Sequence, residues 1–89
     1  MINRQSDDRQ KITGKQIRAA RALLRWTAAE LAERSKLGVA TIRRAEAVDG
    51  PIPITLANAD TIVRAFEEVG IEFINGDAPG VRWRAPPHD

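Results

Sequence analysis

The feature that most constrains this chain is a helix-start signal that occurs twice in its first third. Thr13 is followed three residues later by Gln16, and Thr27 is followed three residues later by Glu30. In such pairs each side chain can satisfy a backbone N–H group of the other residue, so both predict a capping box at the start of a helix. The chain is therefore expected to fold into short helices that each begin at their own signal.

Apolar residues recur at helical spacing after these signals and after two weaker ones at Gly38 and Thr55. Gly50 and Pro51 cannot continue the third helix, and Gly70 is the expected stop of the fourth. The pattern predicts helices over about 14–25, 28–35, 39–48 and 56–69.

The segment after Gly70 has strand periodicity. "IEFI" and "VRWR" alternate apolar and polar residues, and the six residues "NGDAPG" between them are typical of a turn. We expect a β-hairpin with Val81 and Trp83 on one face and Arg82 and Arg84 on the other. A short hairpin is not stable unsupported, so it either packs on the helices of its own chain or pairs across a dimer.

Composition limits the function classes that fit. The 89 residues suit one small domain, and the absence of cysteine excludes disulfides and thiolate metal sites. No glycine-rich phosphate loop occurs, and the acidic residues are explained by caps and solvation. We therefore expect no enzymatic activity, no cofactor and no metal. With no apolar run of about 18 residues and no apolar N-terminal leader, the sequence favours a cytosolic protein.

Charge is unevenly distributed along the chain. Residues 1–50 hold 11 Lys or Arg against 6 Asp or Glu, and residues 51–89 hold 3 against 6. A basic half joined to an acidic half is compatible with an anionic partner that docks on one side.

The second and third helices with the short link between them predict a helix-turn-helix. Ala32 supplies the small side chain needed where the two helices cross, Leu37 the apolar residue buried in the turn, and Ile42 the aliphatic residue buried one turn into the second helix.

Residues 13–74 resemble the Xre/Cro-type family of bacterial and phage repressors. The segments that carry the resemblance are "ARALLRWTAAELAERS" and "VATIRRAE". The resemblance implies a mainly all-α fold, a five-helix lambda-repressor-like bundle with a helix-turn-helix, to which the C-terminal hairpin is added. In this family an arginine of the first helix pairs with a glutamate near the end of the recognition helix. Arg21 and Glu46 occupy the matching positions, so a partly buried ion pair is expected.

Three positions depart from the family pattern. Ala28 stands where a phosphate-binding Gln is usual, Lys36 where Gly is usual, and Gly38 where Ser or Thr usually caps the recognition helix. The missing Gln removes one expected phosphate contact, and Lys36 would be strained at a positive φ.

The helical wheel of segment 39–48 directs Ile42 inward and Arg44 outward, which predicts a helix that lies in the major groove. The residues expected to contact bases are Val39, Ala40, Thr41, Arg43 and Arg44. The residues expected to contact phosphates, at the start of the second helix and beside the third, are Thr27, Ala28, Lys36 and Ala47.

The expected organisation is a flexible arm over 1–11, a helix-turn-helix domain over 12–70, a hairpin over 71–84 that serves dimerisation, and a tail over 85–89. One recognition helix reads half a site, so a homodimer on a pseudopalindromic operator is expected. The expected dimer residues are Phe66, Val69, Ile71, Phe73, Val81 and Trp83.

The sequence thus predicts a sequence-specific, double-stranded-DNA-binding transcriptional regulator, in the first place a bacterial repressor. One alternative is an antitoxin that binds both DNA and a toxin. A further alternative is a protein-interaction module that has lost DNA binding.

Overall fold

A computed structural model of the chain describes residues 12–84, which form four α-helices followed by a two-stranded antiparallel hairpin. The elements are α1 (Gly14–Leu24), α2 (Ala28–Ser35), α3 (Val39–Glu46), α4 (Leu56–Glu67), β1 (Ile71–Ile74) and β2 (Gly80–Trp83). The mainly helical fold with a C-terminal hairpin is confirmed. The arm expected over 1–11 and the tail expected over 85–89 lie outside the described residues.

Both predicted capping boxes are present. The Oγ1 atom of Thr13 accepts from the Gln16 backbone N–H at 3.1 Å, and the Gln16 side chain accepts from the Thr13 N–H at 2.9 Å. Thr27 and Glu30 make the same reciprocal bonds at 3.0 and 2.8 Å. Because each box uses only four consecutive residues, it can be read directly from the sequence.

Helices α1 and α2 both end on a left-handed residue that is not glycine. Arg25 has a φ of 59° and Lys36 a φ of 58°. This conformation lets the next residue close the helix end: the Leu37 N–H donates to the Ala32 carbonyl at 3.0 Å. A left-handed conformation costs a residue with a Cβ about 1 kcal/mol, so the backbone is strained at both Arg25 and Lys36.

Residues 12–84 contain four helices rather than the five that the family resemblance implies. Segment 47–55 between α3 and α4 is not helical. Pro51 and Pro53 disfavour helix in the residues before them. The segment instead returns to the start of α1, where the Gly14 N–H donates to the Gly50 carbonyl at 3.1 Å and Thr13 forms an isolated bridge with Pro51. Helix α3 ends at Glu46, short of the expected residue 48.

The core lies between the helices and the hairpin. Its largest fully buried side chains are Ile12, Ile17, Leu31, Ile42, Ile62, Phe66 and Ile71. The Phe66 ring stacks on Trp26 with centroids 5.5 Å apart and lies 5.7 Å from the Phe73 ring. None of the helices within residues 12–84 is long and apolar enough to cross a membrane.

The hairpin packs on the helices of its own chain, with β1 against α4 and β2 against α1. Gly80 pairs with Ile74, which leaves a loop of residues 75–79, one residue shorter than expected. On the outer face Arg82 donates to Glu72 at 3.0 Å. The Gln16 amide donates to the carbonyls of Ile74 and Gly80 at 3.0 and 3.1 Å, which attaches the closed end of the hairpin to α1.

This packing corrects two of the expected dimer residues. Phe66 and Ile71 are fully buried within the single chain, so neither offers surface to a second copy. Val69, Phe73 and Val81 are half-buried. Trp83, at the end of β2, keeps 51% of its surface exposed.

Candidate nucleic-acid interface

Helices α2 and α3 pack against each other across a link of three residues, 36–38. Of the three positions on which the helix-turn-helix prediction depends, two are buried as expected and the third is only half-buried. Ala32 and Ile42 are buried, and Leu37 is half-buried against the core. The two helices are therefore held in one fixed arrangement by apolar contacts.

One face of α3 belongs to the core, and the opposite face is exposed. Ile42, Ala45 and Glu46 are buried. Of the residues expected to contact bases, Thr41 is half-buried, and the exposed ones are Val39, Ala40, Arg43 and Arg44. The helical wheel thus assigned the two faces of α3 correctly.

Arg43 and Arg44 differ in their environment from the arginines that hold the fold together. Within residues 12–84 neither of them pairs with a carboxylate, and the one bond of Arg44 is from Nη2 to the Thr41 hydroxyl at 3.3 Å. Both guanidinium groups are exposed on the outer face of α3. They are thus available to an anionic or hydrogen-bond-accepting partner.

The inner face of α3 carries the ion pair that the resemblance implies. The Arg21 Nε donates to Glu46 Oε2 at 2.6 Å, and Arg21 Nη2 donates to Glu46 Oε1 at 2.8 Å. Arg21 Nη1 also donates to the Trp26 carbonyl at 2.8 Å. The hydrogen bond to Glu46 raises the pKa of the Arg21 guanidinium, against the opposing effect of partial burial. This bidentate ion pair fixes the last turn of α3 to α1.

The residues expected to contact phosphates are spread over two helices. Thr27 is exposed and Ala28 half-buried at the start of α2, whereas Lys36 and Ala47 are exposed after the ends of α2 and α3. An eight-residue helix is about 12 Å long, so Thr27 and Lys36 cannot reach the same phosphate. Lys36 lies in the link before α3 and Ala47 directly follows α3, whereas Thr27 and Ala28 lie at the far end of α2.

The start of α2 already holds a carboxylate. Glu30 accepts from the Thr27 N–H, so its negative charge lies in the first turn of the helix. The free N–H groups of a helix N-terminus attract anions, but a carboxylate at the same place repels a phosphate. The capping box that begins α2 therefore weakens the site at which a phosphate was expected.

Sequence reasoning missed the residues that attach the end of α3 to α1. Arg18 Nη1 donates to the Glu46 carbonyl, and Arg18 Nη2 donates to Asp49 Oδ1 at 2.9 Å. A Cβ on Gly14 would lie 1.9 Å from the Val48 carbonyl oxygen. The one available signal was spacing, since residues 14, 18 and 21 recur on one face of a helix.

The described part of the chain contains no group of three or more His, Cys, Asp or Glu side chains arranged to hold a metal ion. Comparison of the chain with protein-family models finds none that matches, and comparison with curated proteins finds no significant match.

Proposed function

We propose that the chain is a sequence-specific double-stranded-DNA-binding protein, a transcriptional regulator that acts as a repressor in the bacterial cytoplasm. In this proposal α2, residues 36–38 and α3 form a helix-turn-helix within a lambda-repressor-like bundle, and α3 lies in the major groove. The observation that carries the proposal is the contrast between the buried and the exposed face of α3. Its inner face is held by the core and by the Arg21–Glu46 pair, and its outer face presents arginines that have no carboxylate partner among residues 12–84.

The outer face of α3 suits close approach to base edges. Ala40 and Ala47 are small and exposed, so they let the helix backbone come near the floor of the groove. In this proposal the exposed Arg44 donates to the O6 and N7 acceptors of a guanine. For this it must release the Thr41 hydroxyl, a weak contact at 3.3 Å. Val39, which is exposed at the start of the helix, suits a thymine methyl group.

Phosphate contacts would come from Thr27, Ala28, Lys36 and Ala47. Each neutralised phosphate contributes a slope of about −0.9 to the dependence of log affinity on log salt concentration. Because Glu30 opposes the site at the start of α2, we expect a shallow slope and moderate affinity.

One copy of α3 reads half a site, so we propose a homodimer that binds two half-sites about 34 Å apart. The hairpin is the proposed dimer element, through Val69, Phe73, Val81 and above all the exposed Trp83. Repression would follow from occupancy of an operator that overlaps a promoter.

The decisive experiment is selection of bound sequences from a random pool of DNA duplexes. We expect a two-fold symmetric motif, and Arg44→Ala should relax the preference at one position per half-site, at a cost of about 1–3 kcal/mol. Arg64→Ala is the matched control, because it removes an exposed arginine that lies on α4 and not on α3, and it should leave the motif unchanged. If no duplex is retained even at low salt, the proposal is wrong.

The carboxylate of Glu30 at the start of α2 favours a second candidate, a protein-interaction module that has this fold without DNA binding. The same low-salt measurement separates the two. Retention of duplex DNA excludes the module that lacks DNA binding, and failure to retain it supports that module.

A further inference from the structure

Three residues on one face of α1 contact the C-terminal end of α3 and the chain that follows it. Gly14 lies against the Val48 and Ala45 carbonyls, so closely that a Cβ there would overlap the Val48 oxygen. Arg18 bonds to the Glu46 carbonyl, and Arg21 holds the Glu46 carboxylate. Spacings of four and three residues place all three on one stripe of the helix.

Arg18 differs from Arg21 in what it binds. The last carbonyls of a helix have no partner within the helix, and a cation near them is favoured by the helix dipole. Arg18 supplies α3 with a hydrogen-bond donor for one of these carbonyls and with a nearby positive charge, because one arm of its guanidinium, Nη1, donates to the Glu46 carbonyl. The other arm donates to Asp49 at 2.9 Å and so holds the residues that leave the helix. Arg18 is thus a C-terminal cap for α3 that another helix provides.

Among the described residues, 12–84, none provides a comparable side-chain anchor at the opposite end of α3. Gly38, its N-terminal cap residue, makes no side-chain hydrogen bond to the helix. A glycine cap restrains the start of a helix less than Ser or Thr does. The polar restraints on the direction of α3 are therefore concentrated at its C-terminal end, on the α1 stripe.

We propose that Arg18 is a positioning residue that sets the direction of α3 and, through it, the base edges that Arg43 and Arg44 reach. This inference rests on the proposed function for its consequence in DNA recognition, but its structural part can be tested without DNA. Arg18 itself lies on α1 and is directed at the end of α3, with its two arms occupied by Glu46 and Asp49.

Arg64 provides the matched comparison. It is also an exposed arginine with an ion pair, but its partner Asp60 lies one turn earlier on the same helix. The Arg64–Asp60 pair thus lies within α4. Substituting either arginine by Ala removes one positive charge and one ion pair, whereas only Arg18→Ala releases the end of α3.

The first test is amide hydrogen exchange in the free protein. In Arg18→Ala the amides of Ala45, Glu46 and Ala47 should exchange about tenfold faster, relative to the amides of α4, because the last turn of α3 opens more often. Arg64→Ala should leave that ratio unchanged. Equal exchange of the last turn in Arg18→Ala and in the parent protein would overturn the proposal, whether or not the protein binds DNA.

The second test is sequence preference, measured as the ratio of affinities for the selected duplex and a scrambled duplex at one salt concentration. Arg18→Ala should lower this ratio about tenfold with the protein still folded, as monitored by circular dichroism. Arg18→Lys keeps the charge but not the two-nitrogen geometry of the guanidinium, so the ratio should stay lowered in this variant as well. If Arg18→Ala weakens both duplexes equally, Arg18 is a phosphate contact and the positioning role is refuted. If the parent protein binds neither duplex, the proposed function fails, and hydrogen exchange alone decides the positioning role.

Discussion

Replacing Arg21 by Ala removes the guanidinium that holds the Glu46 carboxylate against α1. In the parent protein two nitrogens of Arg21 donate to the two carboxylate oxygens at 2.6 and 2.8 Å, and the third donates to the Trp26 carbonyl at 2.8 Å. The Glu46 side chain is only 10% exposed. Water can therefore replace the lost bonds only in part, and the free energy of unfolding should fall.

The size of the effect follows from this burial. Removing one partner of a buried ion pair costs about 3–5 kcal/mol. The Arg21 side chain keeps 24% of its surface exposed, so water reaches part of the vacated space, and we expect about 2–4 kcal/mol. For a domain of this size about 1 kcal/mol shifts the Tm by about 4–8 °C, so the Tm should fall by at least about 8 °C.

Thermal and urea unfolding followed by circular dichroism measure this loss. Arg64→Ala is the control, because its pair is exposed at 71% on the arginine side and should change stability by less than about 0.5 kcal/mol. Substituting both Arg21 and Glu46 by Met should recover part of the loss, since no charge is then stranded. A Tm for Arg21→Ala within about 3 °C of the parent value would refute the reasoning.

The pH dependence of the loss gives a second check. The pKa of Arg21 is higher in the folded protein than in the unfolded chain. Its contribution to stability is therefore fully present below the pKa of the unfolded chain, and it is lost only as the pH rises through the pKa of the folded protein, far above neutrality. The stability difference between Arg21→Ala and the parent protein should therefore be constant from about pH 6 to about pH 9.

Three further substitutions separate stability from binding. Gly14→Ala should destabilise by at least about 2 kcal/mol in urea unfolding, because its Cβ would overlap the Val48 carbonyl, whereas Gly50→Ala, with open space at its Cβ, should have little effect. Gly38→Ser should raise the Tm by a few degrees, since the backbone there already has the extended cap geometry and nothing obstructs a Cβ. The capping bond of serine is worth a few tenths of a kcal/mol over glycine, and serine also lowers the entropy of the unfolded chain; an unchanged or lower Tm would contradict this. Glu30→Gln should keep its capping bond and strengthen DNA binding severalfold in a titration at fixed salt, and weaker binding would show that the carboxylate does not oppose a phosphate.

Local signals in the sequence were sufficient for most of the elements. The capping boxes at Thr13 and Thr27 depend on four consecutive residues, so no distant part of the chain was needed to predict them. Alternation predicted the hairpin, although Trp83 is exposed rather than buried with Val81, and the period of α3 predicted which side carries Ile42 and which carries Arg44. The Arg21–Glu46 pair came from the family resemblance, because helical spacing alone does not say which helices meet.

The sequence by itself thus determined where α1, α2 and the hairpin begin and which residues α3 turns away from the core, because these depend on neighbours along the chain. Tertiary packing decided the rest. It returned segment 47–55 to the start of α1, where a fifth helix had been expected. It also buried Ile71 within the single chain and brought Arg18 to the end of α3. These outcomes depend on contacts between residues distant in sequence, for which local propensity carries no signal.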